Sequence, residues 1–190
     1  FRRVLFRSQY EFPIGWQEVE GIHNRTDYDL GRHTEFSGKS LHYTDENANK
    51  FIPYVIETSV GCDRFVLALL CDAYRFNEDR VVMKFHPRFA PYKAAVFPLM
   101  KKDELVAPAL KIYEELRKSY RVDYDATGSI GKRYRRHEEV GTPFCITVDY
   151  DGLINQTVTI RHRDTMAQER VPMTRIEEYI SNAFTSWKMD

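Results

Sequence analysis

Apolar residues recur along the chain at two different spacings, and the changes of spacing divide it into elements. From Phe12 to Asn24, Trp16, Val19 and Ile22 stand among polar residues around a Gly-Trp turn, which predicts extended chain. Arg25–Ser37 is polar and predicts a solvated helix with Thr26 as its cap. Leu41–Tyr43 and Tyr54–Glu57 are short strand segments split by the turn-prone Asp45-Glu46-Asn47. Gly61–Phe76 then carries Phe65, Leu69 and Ala73 at i, i+4, i+8, widened by Val66 and Leu70. A helix so nearly apolar around its circumference is expected to be buried.

His86-Pro87-Arg88-Phe89-Ala90-Pro91 interrupts every period and predicts a linker. Beyond it the elements alternate. Lys93–Leu99 reads as an apolar strand, and Asp103–Tyr120 as an amphipathic helix with Leu105, Ala109, Ile112 and Leu116 on one face. Arg121–Tyr124 reads as a strand and Ser129–Val140 as a basic helix. Phe144–Asp149 and Thr157–Arg161 read as strands joined by a turn at Asp151-Gly152, and Met173–Trp187 as a closing helix. That order predicts an α/β layered domain of about a hundred residues.

Composition narrows the function classes. The 190 residues hold 28 Lys and Arg against 28 Asp and Glu, so the chain carries no basic or acidic tail dominating its charge. The halves are also close to neutral, with 12 cations and 13 anions up to residue 90 and 16 and 15 after it. Basic character is therefore local, at Lys132–Arg136 and Arg161–Arg163. Cys62, Cys71 and Cys145 show no C-x-x-C spacing, which disfavours a disulfide framework or zinc ribbon and fits a cytosolic protein. The longest apolar run, Phe65–Cys71, is too short to span a bilayer. His162-Arg163-Asp164 imitates a kinase catalytic loop, but Glu169 stands where that loop needs Asn.

Three clusters carry candidate chemistry. In Glu57-Thr58-Ser59-Val60-Gly61-Cys62-Asp63-Arg64, a strand ends in polar side chains, a glycine turns, and an arginine enters the first turn of a helix. Arg64 there opposes the helix dipole unless an anion or stacked ring compensates, or it pairs with Asp63 or Glu57. Glu18 and Glu20 flank Val19 and are expected on one strand face, where they repel unless a cation such as Arg25 lies between them. Lys132-Arg133-Tyr134-Arg135-Arg136 offers four cations and a ring, suited to phosphates and a stacked base or simply to a solvated helix face.

In order, Gly15-Trp16-x-Glu18, Asn24-Arg25-Thr26-Asp27-Tyr28-Asp29-Leu30, Glu57-x-Ser59-x-Gly61-x-Asp63-Arg64, His86-Pro87-Arg88 and Gly128-Ser129-Ile130-Gly131 resemble the homodimeric, class II glycyl-tRNA synthetases. Arg135-Arg136-x-Glu138-Glu139-x-Gly141-Thr142-Pro143-Phe144 and Thr157–Arg161 extend the resemblance, which runs from about Gln9 onward. Thr58 departs from the family's proline and Val60 from its small residue. Residues 1–8 are an unmatched lead.

The resemblance implies an α/β chain, α+β overall. Residues 9–85 would be the C-terminal part of the antiparallel class II catalytic domain with its motif 3, 86–91 a linker, and 92–190 an anticodon-binding domain on a mixed sheet. It implies glycine activation by ATP, with Mg2+, then transfer of glycine to the 3′ end of glycine tRNA, by a cytoplasmic homodimer with no membrane role. Glu18, Glu57 and Ser59 would surround the substrate ammonium. Glu57, Gly61 and Arg64 would face ATP, with Glu57 and Arg64 closest to the chemistry. Motifs 1 and 2 are not in this sequence, so the chain by itself is expected to be inactive. Arg133, Arg135, Arg136 and Arg161 are the expected contacts to the anticodon stem-loop, and Glu139 and Asp164 the expected readers of cytosine N4. The alternative is a nucleic-acid-binding protein on the same scaffold without catalysis.

Overall fold

The computed structural model describes residues 3–77 and 79–187 and divides into two compact units, 1–71 and 72–190. In the first unit, β1 (Arg3–Phe12) and β2 (Gly15–Thr26) form an antiparallel hairpin. Gly15 closes it at φ +95°, a left-handed conformation that glycine adopts without strain. Part of the expected lead, Arg3–Ser8, thus pairs in a sheet; Phe1 and Arg2 lie outside the described residues. Helix α1 (Tyr28–Ser37) ends on Gly38, whose N–H donates to the Thr34 carbonyl at 3.1 Å. It starts later than Arg25 because β2 runs on through Thr26. Thr26 does not cap the helix: its hydroxyl donates to the Arg25 carbonyl at 2.6 Å.

The short strands β3 (Tyr43–Thr44) and β4 (Lys50–Phe51) pair around a loop tied by Asp45, whose Oδ1 accepts from the Asn47 and Asn49 amides. Strand β5 (Val55–Val60) adds to β2, giving the order β1-β2-β5. Helix α2 (Cys62–Ala73) follows. It is not the buried helix that its composition predicts: Phe65, Val66, Leu67 and Leu70 are all exposed, and only Ala68 and Ala73 are buried. It is also shorter than expected. Tyr74 and Phe76 belong instead to β6 (Tyr74–Asn77), paired with β7 (Arg80–Met83), because aromatic and β-branched side chains favour the pleated ribbon.

In the second unit the residues expected as a linker form a turn, with the His86 carbonyl accepting from the Phe89 and Ala90 amides. Lys93 Nζ ties this turn down by donating to the carbonyls of Pro87, Arg88 and Ala90 at 2.7–3.0 Å. The main sheet contains β8 (Ala94–Pro98), β9 (Val122–Tyr124), β10 (Phe144–Val148), β11 (Thr157–His162) and β12 (Gln168–Pro172), in the order β12-β11-β10-β8-β9. It is mixed: β8 is parallel to β9 and β10, while β11 is antiparallel to β10 and β12.

Helices α3 (Asp103–Leu116) and α6 (Ile176–Ser186) cover one face with Leu105, Ala109, Ile112, Leu116, Ile176 and Ile180. Helix α4 (Ile130–Val140) covers the other, where Ile130 and Tyr134 pack on Ala95, Phe97 and Cys145. Both faces being covered, every residue of β8 and β10 is buried. Asp151-Gly152 is not a hairpin turn but lies in helix α5 (Tyr150–Asn155), capped by Asp149 Oδ1 on the Gly152 amide at 2.7 Å. Strand β12, which no pattern in the sequence predicts, lies at one edge of the sheet. No described helix is long and apolar enough to cross a membrane.

Candidate functional site

Bulges in β2 decide which carboxylates share a face. Gln9 opposes Glu18 and Ser8 opposes Glu20, so Val19 is an extra residue that resets the alternation. Glu18 is thereby turned onto the side of Gly21. Its Oε2 meets Nε of Arg7, the residue opposite Gly21, at 3.3 Å. Its Oε1 lies 3.5 Å from the position a Cβ on Gly21 would take. Glu20 points the other way and accepts from Ser8 Oγ at 3.0 Å. The expectation that Glu18 and Glu20 share a face is therefore overturned by the bulge.

Ser59 pairs with Gly21, and Glu57 with His23. Directly opposed residues of an antiparallel pair project to the same side, so Glu18, Glu57 and Ser59 are gathered on one face around Gly21. A methyl group on Gly21 would stand 2.6 Å from His23 Cε1, so glycine keeps the middle of this face clear.

Arg25 is the extra residue of a second bulge, between the pairs Asn24–Ile56 and Thr26–Val55. It does not separate Glu18 from Glu20. Its guanidinium meets both oxygens of Asp29, at 2.6 and 2.9 Å, and Glu57 Oε2 at 3.2 Å. Arg64 pairs with neither Asp63 nor Glu57. Its Nη1 donates to the Glu18 backbone carbonyl at 2.6 Å, which ties the start of α2 to the bulge. Among the described residues no group of three or more His, Cys, Asp or Glu converges as a metal site.

The second unit presents a basic cleft of about 410 Å³ on the α4 side of its sheet, lined by Arg80, Lys132, Tyr134, Arg135, Glu138 and Arg161. Two expected cations belong to it. Arg161 lies 4.7 Å from the Tyr134 ring centroid and donates to Glu138 Oε1 at 3.2 Å. Arg135 is exposed and meets Asp79 at 3.0 Å. Tyr134 is held by a 2.7 Å hydrogen bond to Thr147 Oγ1, and burial pushes its phenol pKa up, so it stays a neutral ring.

The other expected residues sit elsewhere. Arg133 does not face the cleft as expected: it is buried, and its guanidinium donates to the carbonyls of Pro98, Thr127 and Gly128. It faces inward because position 133 falls on the side of α4 that packs against the sheet. Arg136 lies outside the cleft, bound to Asp125 and the Thr127 carbonyl. Glu139 is exposed outside the cleft, and Asp164 is engaged by Arg163 at 2.6 and 3.0 Å. The carboxylate in the cleft is Glu138, which shares a helical stripe with Tyr134 at i, i+4. Arg80 also lines it, and no local pattern announces that.

Residues 93–183 match the family model described as an anticodon binding domain. The chain is 52% identical to a glycine–tRNA ligase of Treponema denticola over 99% of its own length and 44% of the relative's. It is 53% identical to that of Chlorobaculum tepidum, over 94% of the chain and 39% of the relative. With the Alkaliphilus oremlandii enzyme the identity is 54%, over 91% and 38%. The chain thus spans less than half the length of these curated relatives, and across that span it is similar in sequence to glycine–tRNA ligases.

Proposed function

We propose that the complete protein is a glycine–tRNA ligase, working as a cytoplasmic homodimer, of which this chain supplies part of the amino-acid site and the anticodon-binding unit. The reading rests most on the common face of Glu18, Glu57 and Ser59 about Gly21. Glycine offers an ammonium and a carboxylate and nothing else. Carboxylates around the ammonium supply charge-assisted hydrogen bonds. Gly21 leaves the middle of the face open for the ammonium to approach; exclusion of larger amino acids by size would then fall to the walls of the completed pocket, whereas a smaller competitor would be harder to reject.

Arg25 fixes Glu57 from behind, so the carboxylate is set before substrate arrives. Arg64, at the start of α2, would meet ATP after leaving the Glu18 carbonyl. Adenylate formation needs charge stabilisation and positioning rather than a strong base. In the second unit, Arg161 stacked on Tyr134, with Arg135 beside it, suits the single-stranded anticodon loop of glycine tRNA. Three unpaired cysteines fit a reducing compartment.

Glycine-dependent ATP–pyrophosphate exchange by the complete protein tests the enzyme. Exchange is expected, and E57Q should lower it by about 10²-fold or more through loss of a charged contact. Absence of exchange would favour a nucleic-acid-binding protein without catalysis.

A further inference from the structure

Arg80 lies outside the matched family domain, yet it lines the basic cleft. Its Nη2 and Nε donate to Glu138 at 2.9 and 3.3 Å. Glu138 is buried, and the same carboxylate holds Arg161 at 3.2 Å. A buried carboxylate is costly without such partners, and two guanidiniums on one carboxylate leave a net positive charge at the cleft. The remaining Arg80 nitrogen, Nη1, is poorly served: its partner is the Met166 thioether at 2.8 Å, a weak acceptor. A charged donor at an open cleft with a sulfur for an acceptor is ready to exchange it for a phosphate oxygen.

The ribbon carrying Arg80 is seated against α4. Gly141, at the end of α4, has φ +87°, and a Cβ there would stand 2.7 Å from the Met83 carbonyl. Only glycine allows so close an approach. Asp79 meets Arg135 across the same seam.

We propose that the β6–β7 ribbon is part of the RNA-binding surface: Arg80 contributes a backbone phosphate contact beside Arg161, and Glu138 is the positioning residue that aims both guanidiniums. The proposal rests on the anticodon-binding reading above and extends its footprint beyond the family domain.

The test is fluorescence anisotropy of the 190-residue chain with a labelled glycine-tRNA anticodon stem-loop, over a range of salt. R80A is expected to weaken binding about 5–10-fold and to lower the salt slope by about 0.7–0.9, one phosphate's worth. R80K should retain the slope. Should R80A fail to fold, R80Q, which can still donate to Glu138, replaces it with the same expectation. E138Q is expected to weaken binding although it removes a negative charge from the cleft.

Tighter binding by E138Q would show a simple field effect and overturn the positioning role. Unchanged affinity and slope in R80A, with R161A weakened, would overturn the Arg80 contact and leave the tRNA reading standing. No binding by the unaltered chain would overturn both.

Discussion

The apolar helices of the two units show how little composition says about burial. Helix α3 puts Leu105, Ala109, Ile112 and Leu116 into a core closed by the sheet. Helix α2 is apolar on more of its circumference, yet leaves Phe65 46% and Leu67 45% exposed. Hydrophobic period selects the type of element; a second layer decides whether it is buried. In the described part of the first unit only Phe12, Gly21 and Ala68 are buried, whereas in the second unit two whole strands are. The largest expected contrast is chemical. Cys62 is exposed, while Cys145 lies within β10 and burial pushes its thiol pKa up. Under native conditions a thiol reagent should modify Cys62 at least about 10³-fold faster than Cys145, whose reaction needs global opening. Comparable rates, followed by mass spectrometry of the labelled peptides, would mean that the second core is not closed.

Two arginines three residues apart on α4 sharpen the same contrast within one element. Arg133 satisfies the carbonyls of Pro98 and Gly128 from inside, while Arg136 pairs with Asp125 at the surface. Arg133→Ala leaves buried acceptors without a donor and should cost about 2–5 kcal/mol in denaturant unfolding. Arg136→Ala should cost about 1 kcal/mol or less. Equal losses would remove the distinction between a structural and a surface arginine.

Protonation gives a smaller effect. Burial lowers the pKa of His137, against the opposing pull of Asp123 and Asp125, and likewise lowers that of His162 against Glu169 and Asp164. A histidine whose folded pKa is depressed takes its proton first in the unfolded chain. Stability is therefore full above the unfolded value of about 6.5 and falls as pH drops below it, towards the folded pKa. Thermal melts should show the second unit weakening between pH 6.5 and 5. H137Q with H162Q should flatten that dependence; an unchanged profile would place the sensitivity elsewhere.

Local pattern made most of the second unit legible. The 3.6-residue period of α3, the strands β8 and β10, and the basic α4 are all written in consecutive residues. The rest depends on pairing across distance. The Val19 bulge separates Glu18 from Glu20 and is set by register with β1. The inward turn of Arg133 depends on carbonyls of Pro98 and Gly128 being there to receive it. Arg80 reaches the cleft across 58 residues of sequence to Glu138. The candidate residues on the β2–β5 face are legible because they come as ordered motifs, not from composition or period. Edge strand β12 and the capped α5 were missed because polar edge strands and one-turn helices have weak periodicity.

The smallest expected effect bears most directly on the contrast between the helices. Phe65→Ser and Leu67→Ser replace side chains that are already nearly half in water. In this chain each should change unfolding free energy by about 1 kcal/mol or less, because only about half of each side chain is withdrawn from water. Self-association should fall, since neighbouring exposed apolar groups promote it. If the complete protein is the ligase proposed above, its larger chain supplies the layer that α2 lacks here. The same substitutions there should cost about 2 kcal/mol or more, as in other closed cores. A small cost in both proteins would show α2 to be an exposed helix by design of the fold. A large cost in both would show that its apolar face is already covered in the shorter chain, by self-association that sedimentation would detect.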